Sequence, residues 1–455
     1  MANSVPDMWY NTTLGLLLLL LSGCVAGPDY VPPDLATPAG YQQSEVTNEH
    51  ADLDWWQGFT DPVLNRLVDT AMSGNLDLGA AQASLAALEA AVRAERSDFW
   101  PSVDAFGTAQ HETDFTGNRS DSQQLGLTLA FMPDLFGLQR RRLEQAMALH
   151  DRQRHNIDDL RRLIASAVAT AYVELRRAQA RLILLDTSLK LQSQTLEIVR
   201  LRNSAGLSPK LDVERAAADL AQTRAQQGNL QLARVEAQNT LAVLSGTYAL
   251  PPQDLQAEAP DVPAFALGPQ IGTPADLLRQ RPDLQAAEAN LLAATAAIGV
   301  ETAELYPSLR LPMQLSADAG QGVHLVDHVL GEITAAVDLP LLDAGRRRAE
   351  INAAEARAQA ALLAYRQALL ISVNEVESAL AAIRYTSDQR AELARAVTAS
   401  EGAYAQLDAL YREGLTTFID ILDAQRTLIS SREAYVETEA DLASAYIALY
   451  TALGI

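Results

Sequence analysis

The sequence predicts an α+β chain in which long coiled-coil helices are joined to a few strands of membrane-spanning length, the whole built as a tandem duplication. Three observations predict this. Landmark residues recur 206 to 208 positions apart. Apolar or small residues repeat in alternating steps of three and four from Ile164 to Val199. Short runs of strict two-residue alternation lie between the helical stretches, and the two periods belong to helix and half-buried strand.

Composition narrows the function classes. The 455 residues carry 57 acidic and 35 basic side chains, a formal charge of −22. Such an acidic balance argues against nucleic acid as a partner, because phosphate binding needs a basic patch. Aromatic residues are 5% of the chain and Ala, Leu, Gln, Glu and Arg dominate, a composition that suits closely approaching helices. With one cysteine, a disulfide framework within the chain and a multi-thiolate metal site are both excluded.

That cysteine follows an apolar run, Leu14–Leu21, and the tetrapeptide Leu21-Ser22-Gly23-Cys24. The run is too short to span a bilayer and reads as the apolar region of a secretory signal. The tetrapeptide resembles a bacterial lipobox, which makes residues 1–23 a signal peptide and Cys24 a lipidated first residue, with covalent lipid as the one added group. No Lys or Arg precedes Leu14 and Asp7 does, so Met8 is expected nearer the true start. Val25 stands where an Asp would signal inner-membrane retention, which favours the outer membrane. Charges interrupt every later apolar stretch, so a chain that spans a membrane must do so with a closed β-barrel.

The duplication orders the rest. Leu76-Asp77-Leu78 reappears as Pro282-Asp283-Leu284, and Trp100-Pro101-Ser102 as Tyr306-Pro307-Ser308. Arg140–Arg142 aligns with Arg346–Arg348 at the same spacing, whereas Gly206 and Asp212 meet Gly414 and Asp420 two residues later. Each copy opens with a helix, Asn75–Phe99 and Gln280–Leu305, stopped by the aromatic-Pro-Ser signal. Strands are expected at Val103–Gln110, around Leu125–Phe131, around Leu309–Leu315 and over Ile333–Leu339. The polar segments Thr113–Ser122 and Ala317–Val323 read as hairpin loops. Four such strands cannot close a barrel alone, so a membrane role requires several chains to share one.

Long helices follow. The stripe Ile164, Val168, Ala171, Leu175, Ala178, Leu182, Leu185, Leu189, Leu196 and Val199 has one polar break, Gln192. Its period of 3.5 predicts left-handed coiled-coil packing. Ile351, Ala358, Leu362, Tyr365, Leu369, Val376, Ala379 and Ile383 repeat it. The first helix is expected over Arg140–Asn203, with a reversal at Gly206 and Pro209 and a return over Leu211–Leu244. Gly414 reverses the second before Ile419–Leu453. Small residues on several helix faces call for lateral neighbours.

These residues together resemble the TolC-like outer-membrane efflux factors, lipoprotein branch. The resemblance rests on the lipobox, on Trp55-Trp56-Gln57-Gly58-Phe59-Thr60-Asp61-Pro62 with Asn75-Leu76-Asp77-Leu78, on Pro274–Leu284, and on Asp134-Leu135-Phe136-Gly137. It covers nearly all of residues 24–455. Phe131-Met132-Pro133 departs from the family, which has an aromatic-Glu-apolar sequence there. The resemblance implies a homotrimer, with three chains of four strands giving a 12-stranded β-barrel continuous with an α-helical barrel. The implied divisions are a lipidated N-terminal and equatorial segment at 24–74, a first repeat at 75–255, an equatorial linker at 256–279 and a second repeat at 280–455.

It further implies a passive outer-membrane exit duct of a tripartite efflux pump for drugs or other toxic compounds. The duct would work with a periplasmic adaptor and an inner-membrane transporter, amid outer-membrane lipid. The hairpin tips, with Gly206, Leu207, Gly414 and Leu415, map onto the adaptor-facing ends. Asp420 and Asp423 map onto acidic rings at a periplasmic gate and Tyr411 onto a tethering aromatic, with Arg412 and Arg426 as candidate partners. Carboxylates so close would raise each other's pKa and attract cations. Asp420 has a twin in Asp212 and also reads as a helix cap. Asp423 faces Arg215 in the first repeat and is the sharper gate candidate.

The chain shows no catalytic constellation and no phosphate or dinucleotide loop, so it is not expected to be an enzyme and energy must come from a partner. His324 and His328 lie four apart in a probable loop, and His50, His111, His150 and His155 are scattered; no metal site is expected. The alternative reading is a lipid-tethered periplasmic coiled-coil adaptor or structural protein that does not span the membrane.

Overall fold

A computed structural model describes residues 25–43, 54–113, 115, 117, 119–251, 255, 261–266, 271–320 and 329–455. The expected signal peptide with Cys24, and the histidines 50, 324 and 328, lie outside the described residues. The chain divides into two compact units, one of Met1–Leu35, Gln82–His155 and Gln285–Gln367, the other of Ala36–Ala81, Asn156–Leu284 and Ala368–Ile455.

Among the described residues the α-helices longer than four residues are α1 (Pro62–Gly74), α2 (Leu76–Ser97), α3 (Leu138–Ser204), α4 (Lys210–Leu244), α5 (Pro282–Ala303), α6 (Arg346–Arg412) and α7 (Phe418–Leu453). Local chemistry sets their starts. Asp61 accepts from the backbone N–H of Val63 at 2.8 Å with Pro62 next to it, a cap plus a residue whose missing N–H costs nothing there. Asn75 caps α2 through Asp77 N and Leu78 N. Most of the expected stripe positions are buried, with Val168, Leu175, Val199 and Val376 fully enclosed, whereas Leu182, Leu189, Ile351 and Leu362 are half-buried. Among the described residues, no helix is long and apolar enough to cross a membrane.

The first unit holds an antiparallel sheet of β1 (Ser102–Thr113), β2 (Arg119–Phe131), β3 (Ser308–Gly320), β4 (Val329–Ile333) and β5 (Ala336–Asp338), in the order β1-β2-β3-β4 with β5 also on β3. β2 and β3 reach into the segments expected to be loops. The register sets Val103 opposite Leu129, Leu127 opposite Leu315, and Met313 opposite Ile333. One face is therefore apolar; Leu315, Ile333 and Val337 are half or more exposed on it, and Leu127 just under half. The other face carries Asp104, Thr128, Gln314 and Glu332 in one row. On that polar face the Phe106 ring lies over Gly126, where an added Cβ would meet it at 2.6 Å.

The fourth strand, expected as one run over Ile333–Leu339, is two pieces. Met313 faces Ile333 and Arg310 faces Ala336, so the register does not slip across the gap. The cause is Pro312. Its carbonyl accepts from Thr334 N at 3.0 Å, but it has no N–H to return, and the ladder loses a rung.

A second correction concerns the arginine runs. α3 and α6 each have 67 residues and each follows a glycine with positive φ, Gly137 at 84° and Gly345 at 89°. These structural equivalents are 208 apart, whereas β1 and β3 start 206 apart. The two extra residues therefore enter before Gly345, and Arg140–Arg142 and Arg346–Arg348 are not equivalent positions. Arg141 is 3% exposed and donates to Ala26 O, Gly27 O and Asp29; Arg346 is exposed and pairs with Glu350 of its own helix at 3.0 Å.

In the second unit each repeat closes the same way. Asn75 Nδ2 donates to Leu244 O, and Arg281 Nη1 donates to Ala452 O, both at 2.9 Å. Arg281 also holds Asp283 and Glu375. Trp55 stacks on Tyr450 at 5.7 Å, and Phe265 on Tyr446 at 4.7 Å, so the tryptophan motif packs against the end of α7.

Candidate functional site

The two hairpin tips lie in the second unit and are built alike. Leu207 N donates to Arg202 O at 2.8 Å and Gly206 N to Asn203 O at 3.0 Å; Leu415 N donates to Leu410 O at 2.9 Å and Gly414 N to Tyr411 O at 3.0 Å. This is the glycine-terminated helix end, which needs a left-handed residue. Gly206 and Gly414 supply it, with φ of 75° and 78°. An added Cβ on Gly206 would touch nothing within 4 Å, so backbone conformation and not space requires the glycine. Leu207 and Leu415 stand about 70% exposed at the two tips.

The returning helices start alike too. Ser208 Oγ donates to Asp212 Oδ2 at 2.9 Å, and Thr416 Oγ1 to Asp420 Oδ2 at 2.7 Å. Asp420 also accepts from the hydroxyl and backbone N–H of Thr417, at 2.6 and 3.0 Å, completing a capping box. The Thr417 and Thr416 hydroxyls and the Thr417 N–H hold the Asp420 carboxyl below its ordinary value. Within one chain this is the reverse of the upward shift expected from like charges, because three donors aim at the carboxylate. Asp423, one turn on, is exposed, and its first-repeat counterpart is Arg215.

Tyr411 is where the tips join. It is buried with Leu196, Val199, Ala216, Leu220, Phe418, Ile421 and Leu422, residues of both hairpins. The Arg202 guanidinium sits 4.8 Å from its ring centroid and donates to its carbonyl at 3.0 Å. Burial raises the Tyr411 hydroxyl pKa against the opposing pull of Arg202. The tether is thus a cation over an aromatic face set in an apolar core. Arg412 is not part of it: it pairs with Asp408 of its own helix at 2.9 Å and within one chain ties nothing across the hairpins.

Arg426 does cross. Its Nε donates to Asp219 Oδ1 of α4 at 2.8 Å, and Gln192 Nε2 of α3 reaches Asp219 Oδ2 and Thr223 Oγ1, both at 2.9 Å. Asp219 and Gln192 are buried. One carboxylate therefore joins three helices. Sequence reasoning missed Asp219 and Arg202. The polar break at Gln192 was the available signal for the first, since a buried amide in a heptad stripe needs partners; nothing in the sequence singled out Arg202.

The sheet adds a charged wall. The polar-face positions of the register carry Asp104, Glu112, Asp318, Glu332 and Asp338 against Arg310.

Comparison with known proteins places these features. The family model for outer membrane efflux proteins matches residues 67–247 and 273–455. Nodulation protein T of Rhizobium leguminosarum bv. trifolii is 29% identical over 454 residues, covering 96% of this chain and 95% of the relative. The probable efflux pump outer membrane protein TtgC of Pseudomonas putida is 29% identical over 468 residues, covering 97% and 94%. The solved outer-membrane channel OprN superposes with a TM-score of 0.88 at 33% identity over 95% of this chain and 99% of that one. The open-state MtrE outer membrane channel of Neisseria gonorrhoeae gives 0.87 at 27% identity, covering 95% and 98%. The fold is that of the TolC-like channels, four strands per chain toward a trimeric 12-stranded barrel continuous with a helical coiled-coil barrel. Matches over both repeats, and over nearly the full length of efflux channels, show that this chain belongs to the outer membrane efflux protein family.

Proposed function

We propose that this chain is the passive exit duct of a tripartite efflux pump, carrying small toxic compounds from an inner-membrane transporter through a periplasmic adaptor to the outside. The observation that carries the reading is the sheet: among the described residues one face is apolar and bare, the other polar, and both edges, β1 and β4/β5, lack a partner strand. A bilayer tolerates no open edge, so the sheet needs copies of itself, and a homotrimer supplies them. The same chain carries two long helical hairpins whose ends are tied through Tyr411 and Asp219. These tips form the periplasmic mouth. Leu207 and Leu415, bare at the reversals, face the adaptor. Asp423 with Asp420 narrows the mouth and favours cations, while Arg202–Tyr411 and Arg426–Asp219 hold the hairpins together. Lipid on Cys24 anchors the N-terminus to the outer membrane.

Purified protein reconstituted from outer membranes tests the reading. It should migrate as a heat-modifiable trimer and conduct in discrete steps across a planar bilayer. Material released by high salt, monomeric and silent in the bilayer, would instead be the tethered adaptor. Bulky replacement of Leu207 and Leu415 should weaken crosslinking to the adaptor and leave the trimer intact.

A further inference from the structure

The strand-to-helix loops of the two repeats are structural counterparts that meet different fates. Both end on a left-handed glycine before a 67-residue helix, and both are capped by an aspartate: Asp134 accepts from Gln139 N and Arg140 N, and Asp343 from Gly345 N and Arg347 N. The first loop is covered. Val25 packs on Gly137 so closely that an added Cβ would meet it at 2.7 Å, Ala26 N donates to Phe136 O at 2.9 Å, and Arg141 grips Ala26 and Gly27. The covering segment begins one residue after Cys24.

Among the described residues, the second loop is bare. Nothing lies within 4 Å of a Cβ added to Gly345. Leu341 and Leu342 are 87% and 94% exposed, shortly after β5. The apolar strand face leads to them: Val337, opposite Leu309, is 69% exposed, and Leu339 follows it at 48%. Arg346 and Arg348 come next, both exposed. Two bare leucines followed by exposed cations, at the foot of a membrane-facing strand surface, are the pattern of a segment lying in a headgroup boundary.

We infer that Leu341 and Leu342 dip into the periplasm-facing leaflet of the outer membrane, as an anchor of the second repeat matching the lipid-bearing segment that covers the first. The occupant of the bare loop is phospholipid, with the exposed arginines toward its phosphates. The inference rests on the reading of the sheet as membrane-spanning.

The test uses the full-length protein, whose Cys24 is blocked by its lipid or replaced by Ser. Leu342→Cys carries a small fluorophore, and the protein is reconstituted in phosphatidylethanolamine–phosphatidylglycerol vesicles with bromine on the upper acyl chain. Leu127→Cys on the apolar sheet face and Leu207→Cys at the tip are labelled in parallel. The inference predicts that bromolipid quenches the label at 342 while aqueous iodide leaves it nearly unchanged. Quenching by iodide alone would place the loop in water, and protection from both would place it against a neighbouring protomer; either result overturns the proposal. The label at 127 must be quenched by bromolipid and that at 207 by iodide. Failure at 127 would overturn the membrane reading of the sheet itself, separately from the loop.

Discussion

Asp212 and Asp420 stand 208 residues apart and do the same thing: each accepts a hydroxyl from the residue four before it, at 2.9 and 2.7 Å, where a helix returns from its tip. Asp420 is therefore a cap before it is anything else, and Asp423 is free of that duty. The two roles separate experimentally. Asp420→Ala should lower the thermal midpoint, as loss of the N3 acid of a capping box does, while Asp423→Ala should leave it near wild type and weaken cation binding at the mouth. Because the Thr416 and Thr417 donors hold the Asp420 carboxyl below the ordinary carboxylate value, its contribution is fully present above about pH 4 and is lost as pH falls through the lower folded value. A thermal-melt series across that range checks the sign; equal midpoints for Asp420→Ala and wild type at neutral pH would count against the cap.

Asp219 and Arg426 form the tie between hairpins. Arg426 is half-exposed and Asp219 buried, so a double-mutant cycle should give a coupling of about 0.5–1 kcal/mol, the range of partly solvated pairs. Arg426→Gln should also raise open-channel conductance or open probability, by loosening the inner hairpin. A cycle coupling near zero with unchanged conductance would remove the pair from the gate.

Arg281 closes the second repeat as Asn75 closes the first. Arg281→Ala should cost about 2 kcal/mol, because it removes a buried guanidinium from a partly exposed carboxylate and from a helix-end carbonyl. Asn75→Ala, a neutral loss, should cost about 1 kcal/mol. Burial pushes the Asp283 carboxyl up, but the Arg281 bonds and charge outweigh it and hold the pKa below 3.8. Stability from this pair is thus present above about pH 4 and lost as pH falls further. Denaturant titrations of the two variants test the ranking; a reversed order would refute it.

Five carboxylates against one guanidinium on the polar sheet face predict a cation-selective barrel. Asp104→Asn with Glu332→Gln should shift the reversal potential in a salt gradient toward zero. No shift would place these side chains outside the conducting path.

Much of this fold is legible in the sequence, and the failures have physical causes. The heptad stripe marked one buried seam of α3 and α6, because a 3.5 period keeps one line of side chains against a neighbour; it left out a second enclosed line on α3, with Ala165, Ala169, Tyr172 and Val173, which packing and not period buries. Gly206 and Gly414 marked the tips because a left-handed residue leaves a signature. The break in the fourth strand hid because its cause, Pro312, lies on the neighbouring strand and acts through a missing N–H. The arginine runs misled because three like letters align more readily than a glycine conformation does; Gly137 and Gly345 hold the true register. At the tips, Tyr411, Arg412 and Arg426 were candidate partners across the hairpins, and within one chain Tyr411 and Arg426 make contacts between them. Arg412 was nearer in sequence, but i,i+4 geometry gives it to Asp408, and Arg202 arrives from the other hairpin.

The central claim is a duct whose periplasmic mouth is lined by Asp420 and Asp423. Single-channel recording of wild type and the Asp420→Ala, Asp423→Ala double variant, with a trivalent cation added to one side at a time, tests it most directly. The wild type should show one-sided block, and the variant higher conductance with much weaker block. Identical conductance and identical block in the two proteins would contradict it.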